Sequence, residues 1–216
     1  MVAARNEEER LGDTLAALRS AFPGARLIVA DDASTDRTPD IAREAGAELV
    51  RAPRNVGKGR ANTPAAQRAL EGDARAVLLC DGDLGDSAAQ LERLVETVTA
   101  GEADLAIAKF ARRVGGGFGI ALNSSRKTVE KRAGRTLDAP LSGQRALTRQ
   151  VLQQVLPFAP GFGMETAMNI DALRAGLKVV EVELELEHRA TGRTAAGFAH
   201  RGKQLLDIAR VYVSRR

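Results

Sequence analysis

The chain has 216 residues, 44% of them hydrophobic, and a formal charge of +4, enough for one well-buried domain or at most two small ones. Tryptophan is absent and aromatics make up 3%, so the core must rest on Ala, Val, Leu and Ile, and a base-stacking nucleic-acid surface is disfavoured. One cysteine, Cys80, excludes an intramolecular disulfide, and neither a signal peptide nor an apolar run of roughly 20 residues is visible, so a soluble cytoplasmic protein is expected.

Met1–Ala4 is too brief for a central strand, yet Arg5-Asn6-Glu7-Glu8 follows it as a turn would. Helical spacing over Glu8–Ala21 leads to a strand at Arg26–Ala30, a helix at Asp36–Ala45 and a strand at Ala47–Arg51. A helix at Lys58–Glu71, a strand at Ala76–Cys80, a helix at Ser87–Ala100 and a strand at Asp104–Ala108 continue the alternation. Ser87 reads as an N-cap, and Gly46 and Gly101 as helix stops. This order predicts an α/β fold with a mostly parallel sheet and helices on both faces, in which ligands bind at the carboxyl ends of the strands.

From position 109 the pattern changes. A basic, glycine-rich stretch through Gly115-Gly116-Gly117-Phe118-Gly119 precedes a helix over roughly Ile120–Gly134. Asp138–Ala146, a short helix near Thr148–Val155 and a helix from about Gly163 to Arg174 follow. Leu177–Glu187 alternates apolar and charged residues, as a half-exposed strand does, and Thr194–Ser214 is amphipathic. Neither an internal repeat nor a separating linker is evident, so a single domain is expected. Residues 109 to 135 carry eight basic side chains against the single acid Glu130. From His188 onward the tail carries seven against the single acid Asp207. Two such clusters point to an anionic ligand or surface.

The chemistry concentrates at the strand ends. Asp81 and Asp83 flank a glycine just after an apolar strand, and two carboxylates at i and i+2 on a turn can share a hard cation such as Mg²⁺ or Mn²⁺. Asp31 and Asp32 follow another strand, where a carboxylate can accept from the imide N–H of uracil, while Ser34, Thr35 and Asp36 can cap the next helix. Gly57-Lys58-Gly59 offers N–H groups and an ammonium to a base carbonyl or a phosphate, without the spacing of a Walker A loop. Glu165 stands at an expected helix start, where the dipole alone favours an acid. As a functional group it can accept a proton from an acceptor hydroxyl or bind sugar hydroxyls.

Ala4-Arg5-Asn6-Glu7, Asp31–Thr38, Asn55–Ala61 and Asp81–Leu84 together resemble the successive nucleotide-binding motifs of GT-A glycosyltransferases of the family 2 type, over residues 1 to about 110. More loosely, Ser142-Gly143-Gln144-Arg145-Ala146, Gly161-Phe162-Gly163-Met164-Glu165 and His188-Arg189 are similar to the glucosyl-3-phosphoglycerate synthase group. Arg189-Ala190-Thr191-Gly192-Arg193-Thr194 resembles a stretch of the polyprenyl-phosphate hexose synthases. The resemblance implies a GT-A, Rossmann-like fold, with residues 1–110 as the nucleotide-sugar half and 111–216 as the acceptor half. Ala4, Asn6, Glu7, Asp32 and Lys58 would hold the uridine, with Asp31 and Gly57 beside them. Asp81 and Asp83 would hold the Mg²⁺ or Mn²⁺, with His188 as the remaining ligand. Glu165, Asp83 and Arg145 would be the catalytic set, with Glu165 and Arg145 near the donor sugar and acceptor. One departure is Ala3, where the family usually carries proline; the change loosens the turn without removing chemistry.

The expected activity is metal-dependent transfer of a hexose from an NDP-sugar, a UDP-sugar being favoured, to a phosphate-bearing acceptor. Arg189, Arg193 and the amphipathic tail favour a polyprenyl phosphate, with the protein peripheral at the inner face of the cytoplasmic membrane. Ser142–Ala146 and Gly161–Glu165 favour a small acid such as 3-phosphoglycerate. The basic 109–135 region is expected to close over bound donor. A homodimer is compatible with all of this, and a nucleic-acid partner is not expected. Two other classes remain: a sugar-1-phosphate nucleotidyltransferase and a non-catalytic nucleotide-sugar-binding module. The acidic Arg5–Glu9 turn speaks against the first, and the intact Asp81, Asp83 and Glu165 against the second.

Overall fold

The computed structural model describes residues 1–111, 119–186 and 195–215, with side chains of the last stretch described from Gln204 onward. The first half runs β1 (Val2–Ala4), α1 (Leu11–Ala21), β2 (Ile28–Asp31), α2 (Thr38–Glu44), β3 (Glu48–Arg51), α3 (Lys58–Leu70) and β4 (Ala76–Asp81). A 3-10 turn at Gly85–Leu91 leads into α4 (Glu92–Thr99) and β5 (Leu105–Phe110). Beyond lie α5 (Ile120–Ala133), β6 (Arg145–Thr148), α6 (Arg149–Val155), a 3-10 turn at Gly161–Gly163, α7 (Met164–Arg174), β7 (Val179–Leu184) and α8 (Ala195–Ser214).

The seven strands form a sheet in the order β3-β2-β1-β4-β6-β5-β7. All neighbours are parallel except β6, which runs antiparallel to both β4 and β5. Alternate residues feed two cores, one on each face. Ile28, Ala30, Leu105 and Ile107 point to the side packed by α3, α6 and α7. Val29, Ala106 and Ala108 point to the side packed by Leu11, Leu15 and Leu18 of α1 and Leu94 and Val98 of α4. Burial on both faces makes these strands near-continuous apolar runs, which is why they were readable in the sequence.

Two expectations need correction, and one strand is added. Met1–Ala4 is central despite its length: Val2 pairs with Val29 on one side and Cys80 on the other. A strand inserted between two neighbours draws hydrogen bonds from both, so three residues suffice. Ser87 does not cap α4; it sits within the preceding 3-10 turn, its hydroxyl donating to Leu84 O at 2.7 Å, and α4 starts without a side-chain cap. The end of Asp138–Ala146 opens β6, a four-residue antiparallel strand too short to show alternation. Gly46 (φ +68°) and Gly101 (φ +74°) do follow the last turns of α2 and α4 as stops. Among the described residues no helix is long and apolar enough to cross a membrane. The Gly115–Gly117 run, His188, Arg189 and Arg193 lie outside the described residues.

Candidate active site

The ends of β1, β2 and β4 open into a pocket of about 490 Å³, closed on the opposite side by residues 141–144 and 161–165. Ala4, Glu7, Asp32, Gly57, Lys58, Asp81, Asp83 and Glu165 all line it, whereas Asn6, Asp31 and Arg145 do not.

Asn6 and Asp31 act behind the surface. Asn6 adopts a left-handed backbone (φ +55°), its N–H donating to Ser34 Oγ at 3.0 Å and its Oδ1 accepting from Thr35 N–H at 2.9 Å. Asp31 is fully buried, accepts from the N–H (3.0 Å) and hydroxyl of Ser34, and faces the Arg51 guanidinium at 3.1 Å. Together they tie the turn after β1 to the turn after β2. Asp32 does reach the pocket, but its two oxygens accept from the N–H groups of Val56 (2.7 Å) and Gly57 (2.9 Å). Its first task is therefore to hold the loop that delivers Lys58. Glu7 lies at the rim with its own N–H donating to Thr38 Oγ1 at 2.8 Å. Asn55, its amide oriented oxygen-inward, accepts from Arg5 Nε at 2.8 Å.

The acidic turn is fixed by α1. Thr14 donates its hydroxyl to Gly82 O (3.0 Å) and accepts from Gly85 N–H (2.8 Å), while Arg10 donates to Asp83 O (3.0 Å). Five backbone and side-chain groups thus fix where Asp81 and Asp83 face.

Lys58 occupies the centre. Its Nζ lies 2.6 Å from Asp81 Oδ1 and 2.9 Å from Glu165 Oε1, joining the two walls through one ammonium. Burial alone would pull this amine down, but the two carboxylates outweigh it and hold Lys58 well above the ordinary lysine range. It is a fixed cation at any physiological pH. Gly143 is what lets the group close: a Cβ there would overlap Asp81 Oδ2 and come within 2.6 Å of Lys58 Nζ.

Behind the second wall Arg145 is fully buried. Its guanidinium donates to Ser142 O (2.7 Å), Pro140 O (2.9 Å) and Asn169 Oδ1 (2.6 Å), and approaches Glu165 O at 3.4 Å. Burial pushes it down to about 10, with Glu165, Glu181 and Asp81 opposing that shift, so it stays charged at neutral pH. The expected place of Arg145 beside donor and acceptor is corrected: all of these bonds are spent on shaping the wall. The same wall carries two buried polar atoms, Ser142 Oγ and Gln144 Oε1, without a hydrogen-bond partner among the described residues. Both residues line the pocket, but these two atoms lie beneath its surface, where an ordered water is what would satisfy them.

The donor set suits a hard divalent cation. Asp81 and Asp83 present carboxylate oxygens on one side of the pocket, and oxygen ligands match Mg²⁺ or Mn²⁺. Among the described residues no group of three His, Cys, Asp or Glu forms a closed cage, so two acids would leave positions for diphosphate oxygens. The expected third ligand, His188, lies outside the described residues.

Sequence reasoning missed Gln204, which reaches the pocket from α8, and Asn62 on α3. The available signal for the α8 contribution was Asp207, the lone acid of the basic tail.

Comparison with known proteins agrees with this geometry. Residues 1–163 match the model of glycosyl transferase family 2. The chain is 30% identical over 195 residues to glycosyltransferase AglJ of Haloferax volcanii, aligning over 87% of its own length and 62% of that protein. It is 29% identical to an undecaprenyl-phosphate mannosyltransferase of Micrococcus luteus, over 95% of this chain and 89% of the relative. Among solved structures it superimposes on glucosyl-3-phosphoglycerate synthase from Mycobacterium tuberculosis in complex with Mn²⁺, UDP-glucose and glycerol 3-phosphate, with a TM-score of 0.77 and 27% identity. That match covers 99% of this chain and 77% of the other. The chain belongs to glycosyl transferase family 2 and has its GT-A fold.

Proposed function

We propose that this family 2 member transfers a hexose from a UDP-sugar to a phosphate-bearing acceptor with the help of Mg²⁺ or Mn²⁺. One observation carries the reading: a single pocket at the strand ends joins Asp81 and Asp83 to Lys58 and Glu165. Asp81 and Asp83 would hold the cation, which when bound offsets charge on the departing diphosphate. Lys58 adds a fixed positive charge beside the same group, where a preorganised cation stabilises the transition state without reorganising. Asp32 keeps the Lys58 loop in place. Glu165 turns its carboxylate towards the same space, where it would bind the donor sugar or receive the acceptor's proton. The Mn²⁺ and UDP-glucose in the superimposed synthase support the donor and metal assignments.

A lipid-linked phosphate is the second reading of the acceptor, favoured by one observation. The exposed large apolar side chains among the described residues, Ile120, Leu206, Tyr212 and Val213, all lie on α5 and α8. Exposed apolar side chains on these two packed helices suit an interfacial acceptor.

Thermal shift with UDP-, GDP- and ADP-sugars, with and without Mn²⁺, tests the reading. A UDP-sugar with Mn²⁺ at about 100 times Kd should stabilise the protein by roughly 2.7 kcal/mol. Asp83→Ala should abolish that shift and lower turnover about 1000-fold. Absence of metal-dependent stabilisation by any nucleotide sugar overturns the proposal. Turnover of short polyprenyl phosphate against 3-phosphoglycerate then separates the two acceptors.

A further inference from the structure

Glu165 enters the pocket from the first turn of α7, directly after the Gly161–Gly163 turn, and that turn is gripped by the C-terminal helix. Asp207 on α8 is 3% exposed although it belongs to the basic tail. Its Oδ2 accepts from Phe162 N–H at 3.1 Å, and its Oδ1 accepts from Arg210 Nη1 at 2.8 Å. The backbone is shaped for the contact. A Cβ on Gly161 would overlap the Asp207 carboxylate, and one on Gly163 would come within 2.7 Å of Val211 Cγ2 and 3.2 Å of Asp207 O. Ile208 and Val211, which follow Asp207 on the helix, are buried, so α8 is anchored where it meets the turn. One turn earlier on the same helix, Gln204 lines the pocket together with Phe162 and Glu165.

We propose that Asp207 is a positioning residue: by holding the Phe162 N–H it fixes the 161–165 turn so that Glu165 meets Lys58, and α8 becomes a wall of the active site. The consequence for catalysis rests on the transferase reading; the grip on the turn does not. A carboxylate held by a neutral backbone donor acts here as an acceptor at a defined point, and an amide oxygen can fill that place. A displacement of Glu165 by an ångström is enough to cost catalysis heavily while leaving the nucleotide wall intact.

The test compares Asp207→Ala with Asp207→Asn, assayed well below their unfolding temperatures. Asp207→Ala should lower kcat about 10- to 100-fold while leaving the Mn²⁺-dependent affinity for UDP within about twofold. Asp207→Asn should recover kcat to within about threefold, because its amide oxygen can take the place of Oδ2 as the acceptor from Phe162 N–H. Hydrogen exchange at the Phe162 amide should accelerate in the alanine variant and remain slow in the asparagine variant. Wild-type kcat in Asp207→Ala, or equal loss in both variants, overturns the positioning role. Unchanged exchange at Phe162 overturns the grip itself. If the wild-type protein shows no metal-dependent nucleotide binding, the transferase reading fails, and the exchange experiment still decides whether Asp207 holds the turn.

Discussion

The loops after β1 and β2 are tied to one another and to the loop that carries Lys58, whereas the wall facing them is tied to what lies behind it. On the first, Asn6, Asp31 and Asp32 belong to the loops they join, and each accepts a backbone N–H from a neighbouring turn or from its own. On the second, residues 140–144 hang from the carbonyl contacts of a buried arginine, and 161–163 from an aspartate 45 positions away on α8. The difference teaches where to look for the residues that shape a site. A self-tied wall can be perturbed loop by loop. A wall held from behind should lose its shape when a residue that never touches ligand is changed.

The largest effect should come from the hidden support. Arg145→Met leaves Ser142 O, Pro140 O and Asn169 Oδ1 without this donor, and should cost about 3 kcal/mol in urea unfolding. A cost below about 1 kcal/mol would break the comparison, since the wall would then be standing without its support. Next, Asp32→Ala strips two N–H groups of their acceptor and should cost about 2 kcal/mol, together with weaker binding of UDP measured by calorimetry. If nucleotide affinity falls without loss of stability, Asp32 serves the base more than its own loop, and the account of a self-tied wall sharpens accordingly. The smallest effect on stability is expected at the seam. Gly143→Ala should shift unfolding by no more than about 0.5 kcal/mol, because Lys58 and Asp81 can swing aside, yet reduce Mn²⁺-dependent nucleotide affinity about tenfold.

This contrast also explains what the sequence disclosed. Asp81 and Asp83 were legible because a strand that is apolar on both faces ends abruptly, and the first polar residues at its end face the ligand edge of a parallel sheet; Lys58 was legible from the glycines that flank it at the start of α3. Asp31 and Asn6 bear the same signature but point into the loops, and polarity after a strand does not distinguish these directions. The resemblance implies Arg145 beside donor and acceptor, and it is fully buried, because it folds back onto Pro140 O and Ser142 O of its own loop and is held there by Asn169 of α7, which only the fold brings near. β6 went unseen for a related reason: its four residues pair antiparallel inside a parallel sheet, and neither period nor flanking turns announce it. Gln204 depends on where α8 docks, which is a property of Asp207 and the Gly161–Gly163 turn jointly.

Four glycines around the pocket share one property: a methyl group at any of them would collide with something across a gap. Gly59 abuts Ala159 O, Gly143 meets Asp81 and Lys58, and Gly161 and Gly163 meet α8. At Gly59 the partner is backbone and at Gly161 a buried carboxylate, so the collision has no cheap relief at those two. For evolutionary drift this means that the outline of the cavity is inherited as pairs. A substitution on one side becomes acceptable only after its counterpart has withdrawn, and the two changes cannot be weighed independently. Homologous chains should therefore vary at these positions together with their counterparts or not at all.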